Sequence, residues 1–167
     1  MGIIILILGA VVGLILVVIV VGAALPAEHR VSHSRQVNAT PEQVWARLAA
    51  TEEQTAWRKD LKSIKLLSSE PKKWVETMSM GDVPMVLVES VPSSRMVTKI
   101  DSEDLPFGGS WTFELAPNEG GTKVTITEEG VVKNPVFRFM SRFIFGHETT
   151  MKSYLSQLQA SYSSEEK

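Results

Sequence analysis

Histidine and carboxylate side chains are the groups in this sequence that could move protons. The 167-residue chain has three histidines, His29, His33 and His147, and no cysteine. Without cysteine, this sequence cannot supply a thiolate nucleophile, a disulfide or a zinc–thiolate site. His147, His33 and Glu128 are the candidates for a general acid or base in a catalytic site.

The histidine spacing does not predict a metal site. On a strand, His29 and His33 would share a face but lie ~13 Å apart at ~3.3 Å per residue, too far to bind one ion. His147 and Glu148 are adjacent, so on a helix they would point in different directions. We therefore expect neither a metal nor a cofactor.

His147 interrupts an apolar helical stripe next to Gly146, and two roles stay open for it. It could face a cavity and orient a ligand or carry a proton. It could equally be a hydrogen-bonded histidine at the edge of the core.

Large apolar side chains could line an adaptable hydrophobic pocket, because methionine and aromatic residues suit irregular ligands. The alternative is that they fill a solid core. The residues predicted to bind a ligand are Trp57, Trp74, Met78, Met85, Trp111, Phe113, Met140, His147 and Met151.

A long C-terminal helix is predicted from Asn134 to Tyr162. Asn134 and Pro135 form a typical helix start, with a cap followed by proline at the first position. Apolar residues then recur at steps of three and four, which draws one stripe along the helix. Members of that stripe are Val136, Met140, Phe143, Ile144, His147, Met151, Tyr154, Leu155 and Leu158.

The N-terminal segment Gly2–Leu25 has no charged residue and is long enough to cross the ~30 Å hydrocarbon core of a bilayer. We predict a retained single-pass anchor that meets lipid through residues 3–25. A cleaved signal peptide is the alternative, although its apolar region is usually shorter and follows a basic residue. Arg30 and Arg35 follow the segment, which favours a cytoplasmic C-terminal domain. Gly9 and Gly13 form a G-x-x-x-G pair that could bring two such helices together.

Between these helices, the sequence predicts a strand at 29–38, two short helices and an antiparallel meander. Thr40-Pro41-Glu42-Gln43 predicts a capping box, and Thr51 with Gln54 repeats the pattern. Alternating apolar and polar residues with turn residues between them predict six strands: Leu61–Leu67, Trp74–Met80, Val83–Val91, Met96–Ile100, Ser110–Leu115 and Thr122–Val131.

This order resembles the helix-grip fold of the START/birch-pollen-allergen (SRPBCC) superfamily, especially its polyketide cyclase/dehydrase-like branch. The stretches that carry the resemblance are Val37–Trp45, Trp111–Thr125 and Asn134-Pro135. The resemblance implies an α+β domain in which a curved sheet grips the C-terminal helix around an apolar cavity. It also implies binding or transfer of hydrophobic molecules, with cyclisation or dehydration in a minority of members. It supplies no catalytic residues.

The predicted organisation is an anchor and its exit at 1–27, a helix-grip ligand-binding domain at 28–162 and a disordered tail at 163–167. A net charge of −2 argues against a nucleic-acid binder that works by bulk electrostatics. Basic residues between Arg58 and Lys73 could face lipid headgroups or simply form a solvated surface.

Three functions are compatible with these features. The leading one is a membrane-anchored domain that binds a small hydrophobic or lipid-like ligand. The others are a polyketide cyclase or dehydratase, and a structural or assembly protein with a filled core.

Overall fold

A computed structural model of the protein describes residues 2–146 and 148–163. The helices are α1 (Gly2–Ala24), α2 (Pro41–Ala49), α3 (Pro135–Met140) and α4 (Thr149–Ser163), with a 3₁₀ helix at Thr51–Ala56 and a π-helical turn at Ser141–Phe145. The strands are β1 (Glu28–Val37), β2 (Leu61–Ser69), β3 (Lys72–Met78), β4 (Gly81–Val91), β5 (Arg95–Ile100), β6 (Phe107–Asn118) and β7 (Gly121–Val132).

The strands form one antiparallel sheet in the order β1-β7-β6-β5-β4-β3-β2. Strands β2 to β7 follow one another as a meander. After β1, the chain crosses through α2 and the 3₁₀ helix to β2 at the opposite edge, and the meander then returns so that its last strand, β7, pairs with β1. This is the predicted α+β helix-grip architecture. The predicted alternation is confirmed on β6, where Phe113 and Leu115 are buried and Glu114 is exposed.

Helix α4 supplies the centre of the core. Met151, Leu155 and Leu158 are fully buried against the inner face of the sheet, where Val124 and Ile126 are also fully buried. Burial of these side chains contributes on the order of 1.5–3 kcal/mol each before conformational entropy is considered. The sheet therefore holds the C-terminal helix by apolar packing.

Helix α2 begins with the predicted capping box. Thr40 accepts a hydrogen bond from the Gln43 amide, and the Gln43 side chain accepts one from the Thr40 amide. The second predicted box, at Thr51, is wrong: the 3₁₀ helix has no side-chain cap. Gln54 is buried and donates instead to the carbonyl of Leu48, 2.9 Å away, which ties the 3₁₀ helix to α2.

The C-terminal helix differs from the prediction in its continuity. Gly146 adopts a positive φ of 73° and ends the π-helical turn, so α3 and α4 are separate helices rather than one rod. Glycine adopts positive φ without the steric cost of a Cβ, which allows the break at this position. The predicted stripe consequently divides. Its second half is buried in α4, whereas Val136, Phe143 and Ile144 are 40–59% exposed.

Helix α1 extends from the domain and packs against α3. It is the one helix of residues 2–146 and 148–163 that is long and apolar enough to cross a membrane, with 23 residues and a mean hydropathy of 3.6. A signal sequence meets the same criteria of length and composition. Of the predicted tail, the structure places Ser163 at the end of α4, and residues 164–167 lie outside the described residues.

Candidate functional site

The inner face of the sheet is not equally buried along its length. Towards α4, the inward residues of the central strands are buried. Further along, a group of inward side chains is only half-buried, although Val132 on β7 and Val83 on β4 beyond them are buried. We call this second region the open end and define it by His29, Met85, Ile100, Trp111 and Glu128.

A hydrogen-bonded polar cluster lies on the open end. One oxygen of Glu128 is 2.8 Å from Nε2 of His29, and the other accepts a 2.8 Å hydrogen bond from the indole N–H of Trp111. The side chains of His29 and Glu128 are 15% and 21% exposed. This arrangement holds a carboxylate and an imidazole together at the wall of an apolar site, where they can bind a polar group or exchange a proton.

Gly130 makes room for this cluster. It pairs with His29 across the β1–β7 ladder, and a Cβ at this position would collide with the imidazole ring of His29 and approach Oε1 of Glu128 to 3.0 Å. Glycine at 130 therefore allows the ring to lie flat over the strand. The contact explains why His29 reaches Glu128 on the neighbouring strand.

A second polar cluster lies deeper, under the 3₁₀ helix. The guanidinium of Arg58 contacts Glu76 at 3.0 Å and Asp60 at 2.7 Å, and Trp74 donates its indole N–H to Glu76 at 3.0 Å. Burial alone would lower the pKa of Arg58, but the charge of Glu76 and the other acceptors outweigh burial and raise it. Arg58 therefore belongs to the interior and not to the predicted basic surface.

Tyr154 of α4 connects the two clusters. Its ring packs edge-on against Trp57 and Trp111 at centroid distances of 5.3 and 5.6 Å, and the Arg58 guanidinium lies 5.1 Å from its centroid. Burial raises the pKa of the Tyr154 hydroxyl above its ordinary value of 10, so the group is neutral at physiological pH. Among the described residues, two buried N–H groups here, Trp57 Nε1 and Arg58 Nε, lack an acceptor.

The predicted ligand-binding residues fall into two groups. Trp74, Phe113 and Met151 are buried in the packed interior. The half-buried members are Trp57, Met78, Met85, Trp111 and Met140. His147 lies outside the described residues. The half-buried members Met85 and Trp111 are the ones that the structure brings to the open end beside Glu128.

The sequence did not assign roles to His29 or Tyr154 in a pocket. The spacing of the histidines tests His29 only as a metal ligand, whereas its pairing with Glu128 depends on the register between two strands whose paired residues are 99 positions apart. Tyr154 was placed on the buried stripe, but its neighbours could not be read from that pattern. Among residues 2–146 and 148–163, no group of three or more His, Asp or Glu side chains is placed to hold a metal ion.

Several solved structures share this fold at low sequence identity. A START superfamily protein from Mycobacterium smegmatis has a TM-score of 0.65 and 16% identity over 79% of this chain and 95% of its own. A protein from Thermus thermophilus has a TM-score of 0.62 and 20% identity over 79% and 95% of the two chains. The di-domain ARO/CYC protein StfQ from the steffimycin biosynthetic pathway has a TM-score of 0.63 and 13% identity, and the match covers 80% of this chain and 50% of StfQ. At these identities the similarity shows the fold alone.

The sequence itself matches a family model described as polyketide cyclase/dehydrase and lipid transport, over residues 28–160. No curated protein matches the chain. The matched range begins at β1 and reaches the last turns of α4, so it contains the whole sheet and the open end and excludes α1. The chain belongs to the polyketide cyclase/dehydrase and lipid transport family.

Proposed function

We propose that the protein is a membrane-anchored binding domain that holds a small hydrophobic or lipid-like molecule at the open end of the inner face of its sheet. The observation that carries this proposal is the group of inward-facing apolar side chains at the open end that are only half-buried. Met85, Ile100 and Trp111 point inward and stay accessible, whereas Phe113 and Ile126 beside them are sealed by α4. Apolar side chains that face inward and are only partly covered by protein suit an apolar ligand.

Binding would remove the apolar surface of the ligand and of the open end from water. This burial contributes a favourable free energy of roughly 25 cal/mol per Å² of apolar area. The cluster of His29, Trp111 and Glu128 would fix the orientation of the ligand through one or two hydrogen bonds. An amphiphile with a hydroxyl or carbonyl group at one end therefore fits better than a pure hydrocarbon. The support for this ligand class is the pairing of an apolar wall with a single polar cluster.

Anchoring by α1 would keep the site next to a supply of apolar molecules. A tether raises the effective concentration of lipid-derived ligands without adding contacts to the site. The support for anchoring is the length and apolar composition of α1 and the exposure of most of its side chains.

The experiment is to purify the full chain in nanodiscs and identify copurified small molecules by native mass spectrometry after washing. Displacement of a fluorescent fatty-acid analogue then measures affinity. Met85→Trp fills the open end, and Met80→Trp is the matched control because Met80 is 77% exposed in the turn before β4. We expect Met85→Trp to weaken binding at least tenfold and Met80→Trp to leave it unchanged. Equal affinities in the two variants would contradict the proposal.

A second candidate function is a cyclase or dehydratase, and the pairing of His29 with Glu128 favours it. A carboxylate held 2.8 Å from a protonated imidazole can take a proton from carbon while the imidazolium gives its proton to the departing hydroxyl, which leaves as water. Proton transfer from the carboxyl group to the imidazole then restores both groups. Incubation of the copurified molecule with the full chain tests this function. Loss of water that Glu128→Gln prevents, with binding retained, would establish an enzyme; an unchanged molecule would support binding alone.

A further inference from the structure

One face of α1 is covered near its C-terminal end. Gly22 is buried and Val18, Val21 and Leu25 are partly covered, whereas their neighbours in α1 are exposed. These four residues follow the spacing of one helical face. Because α3 is the element that packs against α1, this face is the docking surface for α3.

The backbones of α1 and α3 are in close contact, and hydrogen bonds stabilise this contact. A Cβ on Gly22 would collide with the carbonyl group of Pro135, so only glycine allows the two backbones to approach this closely. The guanidinium of Arg138 donates to the carbonyl oxygens of Leu25 at 3.2 Å, Val132 at 2.7 Å and Lys133 at 3.0 Å. Arg138 thereby joins the last turn of α1 to the end of β7.

The position of this contact along α1 sets the depth of α3. If Ile3 lies at the far edge of a ~30 Å hydrocarbon core, Val18 is ~22 Å along the helix at ~1.5 Å per residue. Val18 then lies ~8 Å inside the near edge of the core. An element that covers Val18 and reaches Leu25 must occupy the interfacial layer of that leaflet.

The side chains that α3 and the π-helical turn expose suit that layer. Exposed fractions are 42% for Phe137, 59% for Phe143 and 59% for Ile144. Arg142 is exposed beside them and can reach the headgroups. In water these side chains would form an uncovered apolar surface, which a monomeric protein rarely keeps without a partner.

We propose that residues 135–145 form a second membrane contact, embedded in the interfacial layer of the leaflet through which α1 leaves the bilayer. This inference rests on the anchoring part of the proposed function and adds the surface on which the domain sits.

Because the chain has no cysteine, single-cysteine variants can be labelled at one site each. We would place an environment-sensitive fluorophore on Phe143→Cys, Leu14→Cys and Val88→Cys of the full chain in phosphatidylcholine vesicles. The lipids would carry a doxyl quencher either high or low on the acyl chain, and iodide would report access from water. Leu14 lies in the middle of α1, and Val88 is 60% exposed on β4.

We expect the label at 143 to be quenched by the high doxyl group, the label at 14 by the low one and the label at 88 by iodide alone. If the label at position 143 is quenched by iodide alone, as at position 88, while the label at position 14 is quenched by lipid, the anchor is present and this inference is wrong. If 143 is shielded from lipid and from iodide, protein covers the segment, for example a second copy, and the inference is again wrong. If 14 is not quenched by lipid, the anchoring itself is wrong.

Discussion

Trp111 donates its indole N–H to Glu128 at 2.8 Å, directly across the pair formed by β6 and β7. The two residues face the interior at the point where burial of the sheet becomes incomplete. Their hydrogen bond fixes the indole beside the carboxylate, and the ring also packs edge-on against Tyr154. A structural interaction between neighbouring strands thus also shapes the wall of the proposed ligand site.

Replacement of Glu128 by leucine should destabilise the fold. The change removes the acceptor of Trp111 and a partner of His29, and the loss of a partly buried hydrogen bond costs about 0.5–1.5 kcal/mol. The matched control is Glu129→Leu, because Glu129 is exposed and its ion pair is with the exposed Arg30. Urea unfolding of the full chain in micelles measures both changes. If Glu129→Leu lowers the unfolding free energy as much as Glu128→Leu does, the cluster of His29, Trp111 and Glu128 does not stabilise the fold as predicted.

The buried ion pair between Arg58 and Glu76 predicts a strong asymmetry between single and double variants. Both side chains are 7% exposed, so Glu76→Leu leaves a buried cation whose remaining anionic contact among the described residues is Asp60. We expect a loss of about 3–5 kcal/mol in unfolding free energy, with the Asp60 contact favouring the lower value. Adding Arg58→Met should restore most of that stability. If the double variant is less stable than Glu76→Leu, the loss of stability does not come from an uncompensated buried charge on Arg58, and the prediction is wrong.

The buried hydroxyl of Tyr154 predicts a loss of stability at alkaline pH. Its pKa in the folded protein is raised above the unfolded value of 10, so the folded state keeps a proton that the unfolded state releases. Stability is therefore fully present below pH 10 and falls by about 1.4 kcal/mol per pH unit above it. Tyr154→Phe should remove this slope, and Tyr162→Phe is the control because Tyr162 lies at the edge of the core. An identical slope in Tyr154→Phe would exclude this origin.

The close approach at Gly22 predicts a difference between two glycines of the same helix. Gly22→Leu should separate α1 from α3, whereas Gly13→Leu meets nothing within 4 Å in the structure. Spin labels at Val17→Cys and Glu103→Cys report the arrangement through electron–electron distances in nanodiscs. We expect a narrow distribution in the parent chain and in Gly13→Leu and a broad one in Gly22→Leu. Equal widths in both variants would show that α3 is not held by this contact. The predicted association through Gly9 and Gly13 stays a separate prediction.

Local signals were sufficient for most of the fold. The Thr40–Gln43 box starts α2 because both partners lie within one turn, and alternation placed Phe113 and Leu115 on the buried face of β6. The C-terminal helix was predicted too long. Apolar periodicity continues through the π-helical turn, and the sequence contains only Gly146 as a sign that the backbone turns there.

The candidate site could be predicted only in part for a different reason. Met85 and Trp111 were selected by type, and type does not distinguish a residue at the open end from one in a filled core. The pairs His29–Glu128 and Arg58–Glu76 join residues 99 and 18 positions apart, so they depend on strand register and on the path of the 3₁₀ helix. Neither of those follows from local patterns.

Native mass spectrometry of the full chain released from nanodiscs tests the proposed binding function most directly. We expect one bound amphiphilic molecule per chain in the parent protein and in Met80→Trp, and its loss in Met85→Trp. A parent protein that binds neither a copurified molecule nor the fluorescent fatty-acid analogue would contradict the proposal. The inner face would then act as a closed core in spite of its half-buried tryptophan and methionine.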